Sequence, residues 1–396
     1  MNSLTTRFSA KKAVFYALIF VAFFAINSAA NAQTEHNHEE NTAVTAAVAS
    51  DSMHATATTS HEASTEAHGG GEEKFNTSEV IMEHIADAHD WHLWGHTSIH
   101  LPVIVYTNKG FEFFSSGKFE HGHATYQGSN YNYRIVKNPG EQKEHIKVVD
   151  AAGNIDEVAS ASVIDLSITK NIASLLLSVT LLLVIFIGIA NGYKKRGIGA
   201  PKGLGAWLEP IILFVRDDIA RPNLGENYAR FMPYLLTVFF FIWMNNVLGL
   251  VPFFPGGANV TGNIAVTLVL AIATFIITNL NGTKTYWSHV FTPHVPKWLY
   301  PLLIPVEIIG LFTKPFALMI RLFANITAGH ILVLSLICLI FIFKSIAVAG
   351  VSVPFVVFIS VIEMLVAFIQ AFIFTILSAV YISMALEKPH HDADHH

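Results

Sequence analysis

The sequence predicts an all-α polytopic membrane protein with about five membrane helices, the last two long and strongly tilted, and a small N-terminal extracytoplasmic β-containing module. Three observations carry this. First, 52% of the 396 residues are hydrophobic and only 13% are charged, where soluble domains carry about 25% charged residues. The mean hydropathy of +0.47 agrees. Second, long uncharged runs crowd the chain after residue 171. Third, a leader-like segment opens the chain, and a basic cluster follows the first long run at once. The formal net charge of −5 counts against nucleic acid as a partner. Cys338 is the single cysteine, so no intrachain disulfide and no cysteine-built metal site can form.

Arg7, Lys11 and Lys12 precede an apolar run over residues 13–26, and Ala30-Asn31-Ala32 closes it. That is the layout of a secretory signal peptide over residues 1–32, because the run falls short of the roughly 20 residues that span a bilayer. Residues 33–75 hold few large apolar groups and read as a disordered, His-rich linker. Residues 76–165 form the module. Trp91, Trp94, Phe111, Phe113, Phe114, Tyr126, Tyr131 and Tyr133 offer it a core. Strands are predicted over 103–106, 111–114 and 146–149, with turns at Asn108-Lys109-Gly110 and Ala152-Gly153-Asn154. His89, His92, His96 and His100 have near-helical spacing, and His36, His38, His390, His391, His395 and His396 add terminal clusters. Imidazole suits zinc. Gly95 and Pro102 interrupt the spacing and no closed four-ligand pattern results, so no metal and no other cofactor is expected.

Residues 166–388 are the membrane domain, and 389–396 a His-rich tail. The first span, 172–190, is followed by Lys194, Lys195 and Arg196, which places that end in the cytoplasm and agrees with a secreted amino terminus. Residues 207–219 suit a segment along the interface. Further spans are predicted over 231–254 and 263–280, joined by a charge-free outer turn at Pro255-Gly256-Gly257. Two long apolar segments remain, 299–343 and 352–386. The first, about 45 residues, is about 67 Å long as a helix, twice a bilayer core of about 30 Å. The two are therefore expected to be steeply inclined, joined through 344–350, leaving the carboxyl terminus in the cytoplasm.

Ionisable groups inside apolar segments are costly, so they are functional candidates. Glu307, Lys314 and Arg321 are spaced by seven and share a helical stripe, with Asn325 beside Arg321. His330 lies about half a turn round from Arg321. Glu363 and Gln370 share a face of the last helix. Arg321 stays charged at any relevant pH and requires a carboxylate or water. Glu307, Glu363 or an acid on another subunit would each serve. His330 and Glu363 are natural proton-relay groups.

Arg321-Leu322-Phe323-Ala324-Asn325 and Gln370-Ala371-Phe372-Ile373-Phe374 resemble the two signature stretches of the F-type ATP synthase subunit a family. Asn246-Val247-Leu248-Gly249-Leu250-Val251-Pro252 is similar to that family's helix-end motif, with Asn246, Gly249 and Pro252 in place, and the Tyr381-Ile382-Ser383-Met384-Ala385 ending also fits. The resemblance covers about residues 165–388. It implies a non-catalytic stator subunit of the bacterial inner membrane. Such a subunit provides two aqueous half-channels to a ring of c subunits, alongside b-type peripheral-stalk and other ATP synthase subunits, the lipid bilayer and protons. By position, Arg321 would be the essential ring-facing arginine. Asn325, His330, Glu363 and Gln370 would line the outer half-channel, with Glu307 and Lys314 near the inner one. In many bacterial members an acid stands at the position of His330 and a histidine at that of Glu363; here the two are exchanged. Many members also lack a large module before the first span. Since every candidate relay residue follows the module, it is expected to be dispensable for proton passage. An independent ion transporter or channel is the alternative, but it needs a substrate site that the intramembrane polar residues do not supply.

Overall fold

The computed structural model describes residues 77–386, apart from 95–96, 123, 138–142, 151, 197–202, 252–255 and 293–294. The expected signal peptide, the His-rich linker, the His-rich tail and Pro252 all lie outside the described residues.

The described part of the chain opens with a short helix, α1 (Thr77–Ile85), and then builds a module of short antiparallel strands. β1 (Asp90–Trp94) pairs with β2 (Thr97–His100). β3 (Pro102–Thr107) forms the centre of a three-stranded sheet between β4 (Gly110–Ser115) and β8 (Ile164–Asp165). β6 (Asn132–Val136) lies between β5 (Tyr126–Gln127) and β7 (His145–Val149) in a second. The predicted strands are β3, β4 and β7. Alternation selects the face: Val103, Val105 and Phe114 point inward onto Phe119, Tyr133, Ile146 and Val148, while Phe111 and Phe113 face outward. The expected turn at residues 152–154 is closed by Asp150, whose carboxylate accepts from the Ala152 and Asn154 N–H groups at 2.8 and 2.9 Å. It leads to helix α2 (Glu157–Ser160), capped by the Asp156 side chain. His89 precedes the β1–β2 hairpin, and His92 and His100 lie on its strands, so the near-helical spacing has no helix to act through. Among the described residues, no three of His, Cys, Asp and Glu are grouped to hold a metal ion.

The remainder is helical: α3 (Lys170–Arg196), α4 (Leu204–Phe214), α5 (Arg221–Leu224), α6 (Tyr228–Leu250), α7 (Ile264–Leu280), α8 (Lys284–Phe291), α9 (Tyr300–Phe343) and α10 (Ile346–Leu386). Among the described residues, four helical runs are long and apolar enough to cross a membrane, or five if α7 and α8, bent by 104°, count as one. The expected interfacial stretch at 207–219 is not separate. α4 continues through a π-helical turn at Val215–Ala220 and α5 towards α6, giving an apolar run of 47 residues, Leu204–Leu250. α9 ends where Lys344 takes a left-handed conformation, φ 46°. The joint is shorter than the expected 344–350, because α10 starts at Ile346 and carries Gly350 within its first turns. Gly350 has open space around it, and the apolar residues on either side sustain the helix through it.

α10 packs chiefly on α6 and α9, and α9 also on α7. Their core holds Leu235, Phe239, Ile242, Leu318, Leu322, Phe374 and Ile382, each nearly or fully buried. The module is tied to this bundle at several points. Trp91 Nε1 donates to the Gly256 carbonyl (3.2 Å) between α6 and α7. α1 packs on α9. The Asn171 N–H donates to the Asp87 carboxylate (3.0 Å), and the Lys170 N–H to the Ala88 carbonyl (2.8 Å).

Candidate functional site

α9 places Arg321 near its middle, exposed, between Leu318 and Leu322, which are buried in the core. Ala317, Ala324, Asn325 and Ala328 are exposed beside it. They recur at the spacing of one helical face, so a strip of small residues surrounds the guanidinium. Among the described residues Arg321 makes no ion pair and no hydrogen bond, which removes the internal Arg321–Glu363 bridge as its counter-charge. It lies within Coulombic reach of the Tyr381 hydroxyl.

Beyond Arg321, α9 and α10 share a polar patch. Asn325 Nδ2 donates to Gln370 Oε1 at 2.9 Å, joining two residues singled out by sequence. Gln370 is 1% exposed and, among the described residues, its Nε2 has no partner, as is true of Thr327 Oγ1, two residues after Asn325. The Glu363 carboxylate lies against Gly329, where a Cβ would overlap it, so a larger residue there would shift the acid. His330 turns towards α6: its Nε2 would stand 3.8 Å from a Cβ on Gly249. His330 and Glu363 therefore sit on either side of one turn of α9, and the structure draws no ion pair or hydrogen bond between them among the described residues. The helix-end motif supports this patch. Asn246, 2% exposed, accepts from Thr261 Oγ1 (2.6 Å) and donates to the Ala367 carbonyl (3.5 Å), pinning α6 to α10.

Before Arg321, a second polar region opens at the other end of α7. A small crevice is lined by Thr274, Thr278, Asn279, Tyr286, Lys314 and Tyr381 together with the apolar Phe275, Leu311 and Pro315. The Lys314 ammonium stands 5.7 Å from the Tyr381 ring centre. Glu307, one stripe position earlier, is within Coulombic reach of Tyr286, whose hydroxyl donates to Asn279 Oδ1 (3.4 Å). A buried polar link crosses three helices beside it: the Tyr234 and Thr274 hydroxyls are 2.7 Å apart, and Thr274 and Ser378 3.4 Å. Sequence reasoning missed Tyr234, Thr274, Thr278, Ser378 and Tyr381 as a group. The available signal was Thr274 and Thr278, spaced by four and followed by Asn279, in a span whose one other polar residue is Thr267.

The module carries its own ionisable cluster. His89, 1% exposed, has Nδ1 at 3.2 Å from Glu144 and Nε2 at 3.5 Å from Asp165. The Lys143 ammonium is 3.8 Å from the same Asp165 carboxylate. Burial alone would lower the His89 pKa, but the Asp165 and Glu144 carboxylates on its two ring nitrogens raise it to about 9. Burial works against both acids too, yet the imidazolium holds each below the usual carboxylate range. Asp87 is different: burial pushes its carboxyl up, and the Asn171 N–H offsets this only in part.

Comparison with known proteins divides the chain at the same place as its architecture. Residues 172–383 match the family model described as ATP synthase A chain. Residues 80–166 match a domain of unknown function (DUF8433). ATP synthase subunit a of Chloroherpeton thalassium is 47% identical over 237 residues, 59% of this chain and 70% of that protein. The subunit of the same name from Chlorobium phaeobacteroides is 49% identical over 238 residues, 58% and 69% of the two chains. That of Myxococcus xanthus is 47% identical over 239 residues, 59% and 77%.

Proposed function

The chain belongs to the ATP synthase subunit a family, and from that premise we propose that it is the non-catalytic stator subunit whose two half-channels pass protons to and from a ring of c subunits. The observation that carries the reading is Arg321: a permanent cation, exposed and, among the described residues, without an ion-pair partner, in the middle of a 44-residue apolar helix and bordered by small residues. A charge left bare in an apolar helix awaits a partner that the described residues do not supply. Small neighbours let another helix approach closely. A ring carboxylate fits both demands. Facing Arg321 it is stabilised as an anion and gives up its proton; carried away from Arg321 it must be neutral to meet lipid.

Two polar regions flank Arg321 along α9. The Lys314 crevice lies seven residues before it, about 10 Å, and Asn325 and His330 lie four and nine residues after it, about 6 and 13 Å. Protons would arrive through the patch of His330, Glu363, Asn325 and Gln370, load a ring carboxylate, and leave after a rotation through the crevice near Lys314 and Glu307. Arg321 between them blocks a direct path by repelling a proton that bypasses the ring. In this reading the module faces outward, the carboxyl terminus is cytoplasmic, the membrane is the bacterial inner membrane, and b-type stalk subunits hold the chain against the torque.

Purification from the native membrane tests the assignment. A ring of small helical hairpins should accompany the chain, and vesicles holding the complex should make ATP when a proton gradient is imposed. A chain that arrives alone and conducts ions by itself would overturn the reading in favour of an independent channel.

A further inference from the structure

Four buried polar atoms near the module stand outside the proposed pathway. Asn171 Oδ1 and Ser174 Oγ on α3, Asn245 Oδ1 on α6 and Asn259 Nδ2 on the connection to α7 have no hydrogen-bond partner among the described residues. All four residues are more than nine-tenths buried. An unpaired polar atom in such a place costs about 1–3 kcal/mol, so the four together call for a ligand that can pair them. α3 and α6 pack on each other in opposite directions. At one end the module holds both: the Ala88 carbonyl and the Asp87 carboxylate accept from the Lys170 and Asn171 N–H groups, and Trp91 donates to the Gly256 carbonyl. At the other end the Phe186 and Phe240 rings meet, 4.8 Å apart. From that contact Ser178 lies eight residues back along α3 and Gly249 nine residues on along α6, about 12 and 14 Å, so the two stand level. Asn171, Ser174 and Ser178 recur at helical spacing on the buried face of α3. One turn further the same face is apolar, and Leu182, Ile185 and Phe186 pack on the bundle core. α6 changes at a similar depth: Asn245 and Asn246 lie on the module side, and Phe239, Phe240, Phe241 and Ile242, all buried, on the other. Gly249 is the residue that His330 approaches. The polar face therefore runs from the module to the depth of His330 and stops there.

Water pairs every one of these atoms. It donates to an asparagine Oδ1, accepts from an asparagine Nδ2 and does either with a serine hydroxyl. Ser178 gives its proton to the Leu175 carbonyl (2.9 Å) and keeps a lone pair for such a water. A face that is polar only to one depth is also what a half-channel requires, because a face polar throughout would pass protons across without the ring. We propose that α3 and α6 form the entry of the outer half-channel: water enters between them beneath residues 87–91, is held by Asn171, Ser174, Ser178, Asn245 and Asn259, and carries protons to His330. This rests on the reading of His330 as part of that half-channel. It brings the first membrane helix into the pathway, and it gives the module the task of clamping the two walls at the mouth. Asp87 and Trp91 are positioning residues here, since they act through α3 and the α6–α7 connection.

The test is thiol accessibility in the assembled complex, reconstituted in vesicles and driven by an imposed proton gradient. Cys338→Ala removes the single native thiol of the chain. On that parent, Ser174→Cys and Ser178→Cys each set a thiol of nearly serine size on the polar face, and Leu182→Cys sets one on the apolar face beyond it. Silver ion, present on the module side, displaces the thiol proton and obstructs the water file only where water reaches the sulfur. It should cut ATP synthesis at least about fivefold in both serine variants and leave Leu182→Cys within about twofold of the parent. Serine variants that ignore silver, or a Leu182→Cys that reacts as they do, overturn the proposal. Should the cysteine variants fail to assemble with the ring, Ser174→Ala combined with Ser178→Ala decides. Loss of the two hydroxyls should slow synthesis about three- to tenfold, and an unchanged rate overturns the proposal. Arg321→Ala serves as the control. Its loss of synthesis together with silver-insensitive serine variants refutes the α3–α6 entry alone, whereas continued synthesis by Arg321→Ala refutes the pathway on which the entry rests.

Discussion

The His89 cluster of the module and the Arg321 region of the membrane bundle treat ionisable groups in opposite ways. In the module, His89 is clasped between Glu144 and Asp165, and Lys143 completes the set. In the membrane bundle, Arg321, His330 and Glu363 sit within apolar helices and, among the described residues, form no ion pair. Internal pairing marks charges that hold a fold together. Charges left open in an apolar helix mark groups kept for something that passes by, in the proposed function a ring carboxylate or a proton.

Arg321→Lys tests this contrast most severely. Lysine keeps a charge but can lose its proton in a low-dielectric site and lacks the planar fork. Coupled ATP synthesis in vesicles should fall about 100-fold or more, and a near-normal rate would remove Arg321 from its assigned role. His330 and Glu363 come next. His330→Glu puts two carboxylates at the patch and Glu363→His two imidazoles, and each alone should cut proton pumping about 10- to 100-fold. The double exchange restores one of each and should recover a substantial part of the flux. Simple additivity would mean that the two act independently.

On the paired side, His89→Ala leaves two partly buried carboxylates facing each other, with Lys143 still beside Asp165, and should cost the module about 1.5–3 kcal/mol. Faster proteolysis within residues 86–165 of the intact complex would reveal it. The pH dependence follows from the same cluster. The His89 pKa rises on folding from 6.5 to about 9, so its contribution is complete below 6.5 and is lost as pH climbs through about 9. Glu144 and Asp165 are lowered, so theirs is present above the ordinary carboxylate range and lost on acidification. Hydrogen-exchange protection of the module, corrected for intrinsic rate, should therefore peak between about pH 5 and 6.5. The smallest effect belongs to Lys147, whose ammonium stands 3.9 Å from an exposed Glu157. Lys147→Ala should alter protection by under about 0.5 kcal/mol, since exposed pairs contribute little.

The membrane helices were legible in the sequence because hydropathy over about 20 residues is a strong signal, and Arg321 because a charge within such a run is conspicuous. The Asn325–Gln370 contact was legible only as two polar residues on neighbouring helices; packing had to bring them together. Lys170 and Asp87 escaped notice for a physical reason. A lysine at the start of a span reads as an interfacial anchor, and its link to Asp87 depends on a contact between Asn171 and Asp87 across 84 residues. The module's β5 and β8, two residues each, are too short to show any alternation. The start of α10 was misplaced because Gly350 looks like a break, whereas the αL residue that ends α9 is Lys344.

The hydrogen bond from Trp91 to Gly256 joins positions 165 residues apart, and this separation sets a timetable for synthesis. Ribosomes add about 5–20 residues per second, so the docking site for Trp91 emerges roughly ten to thirty seconds after Trp91 itself. Throughout that interval the module has only its own small core of Val103, Val105, Phe114, Phe119, Tyr133, Ile146 and Val148 for shelter. The face that will later meet the bundle, including the indole of Trp91, stays bare to whatever chaperones or proteases share the compartment. Assembly of this subunit thus begins with a waiting period, and the newborn module is at its most vulnerable before the helices that will cover it have been made.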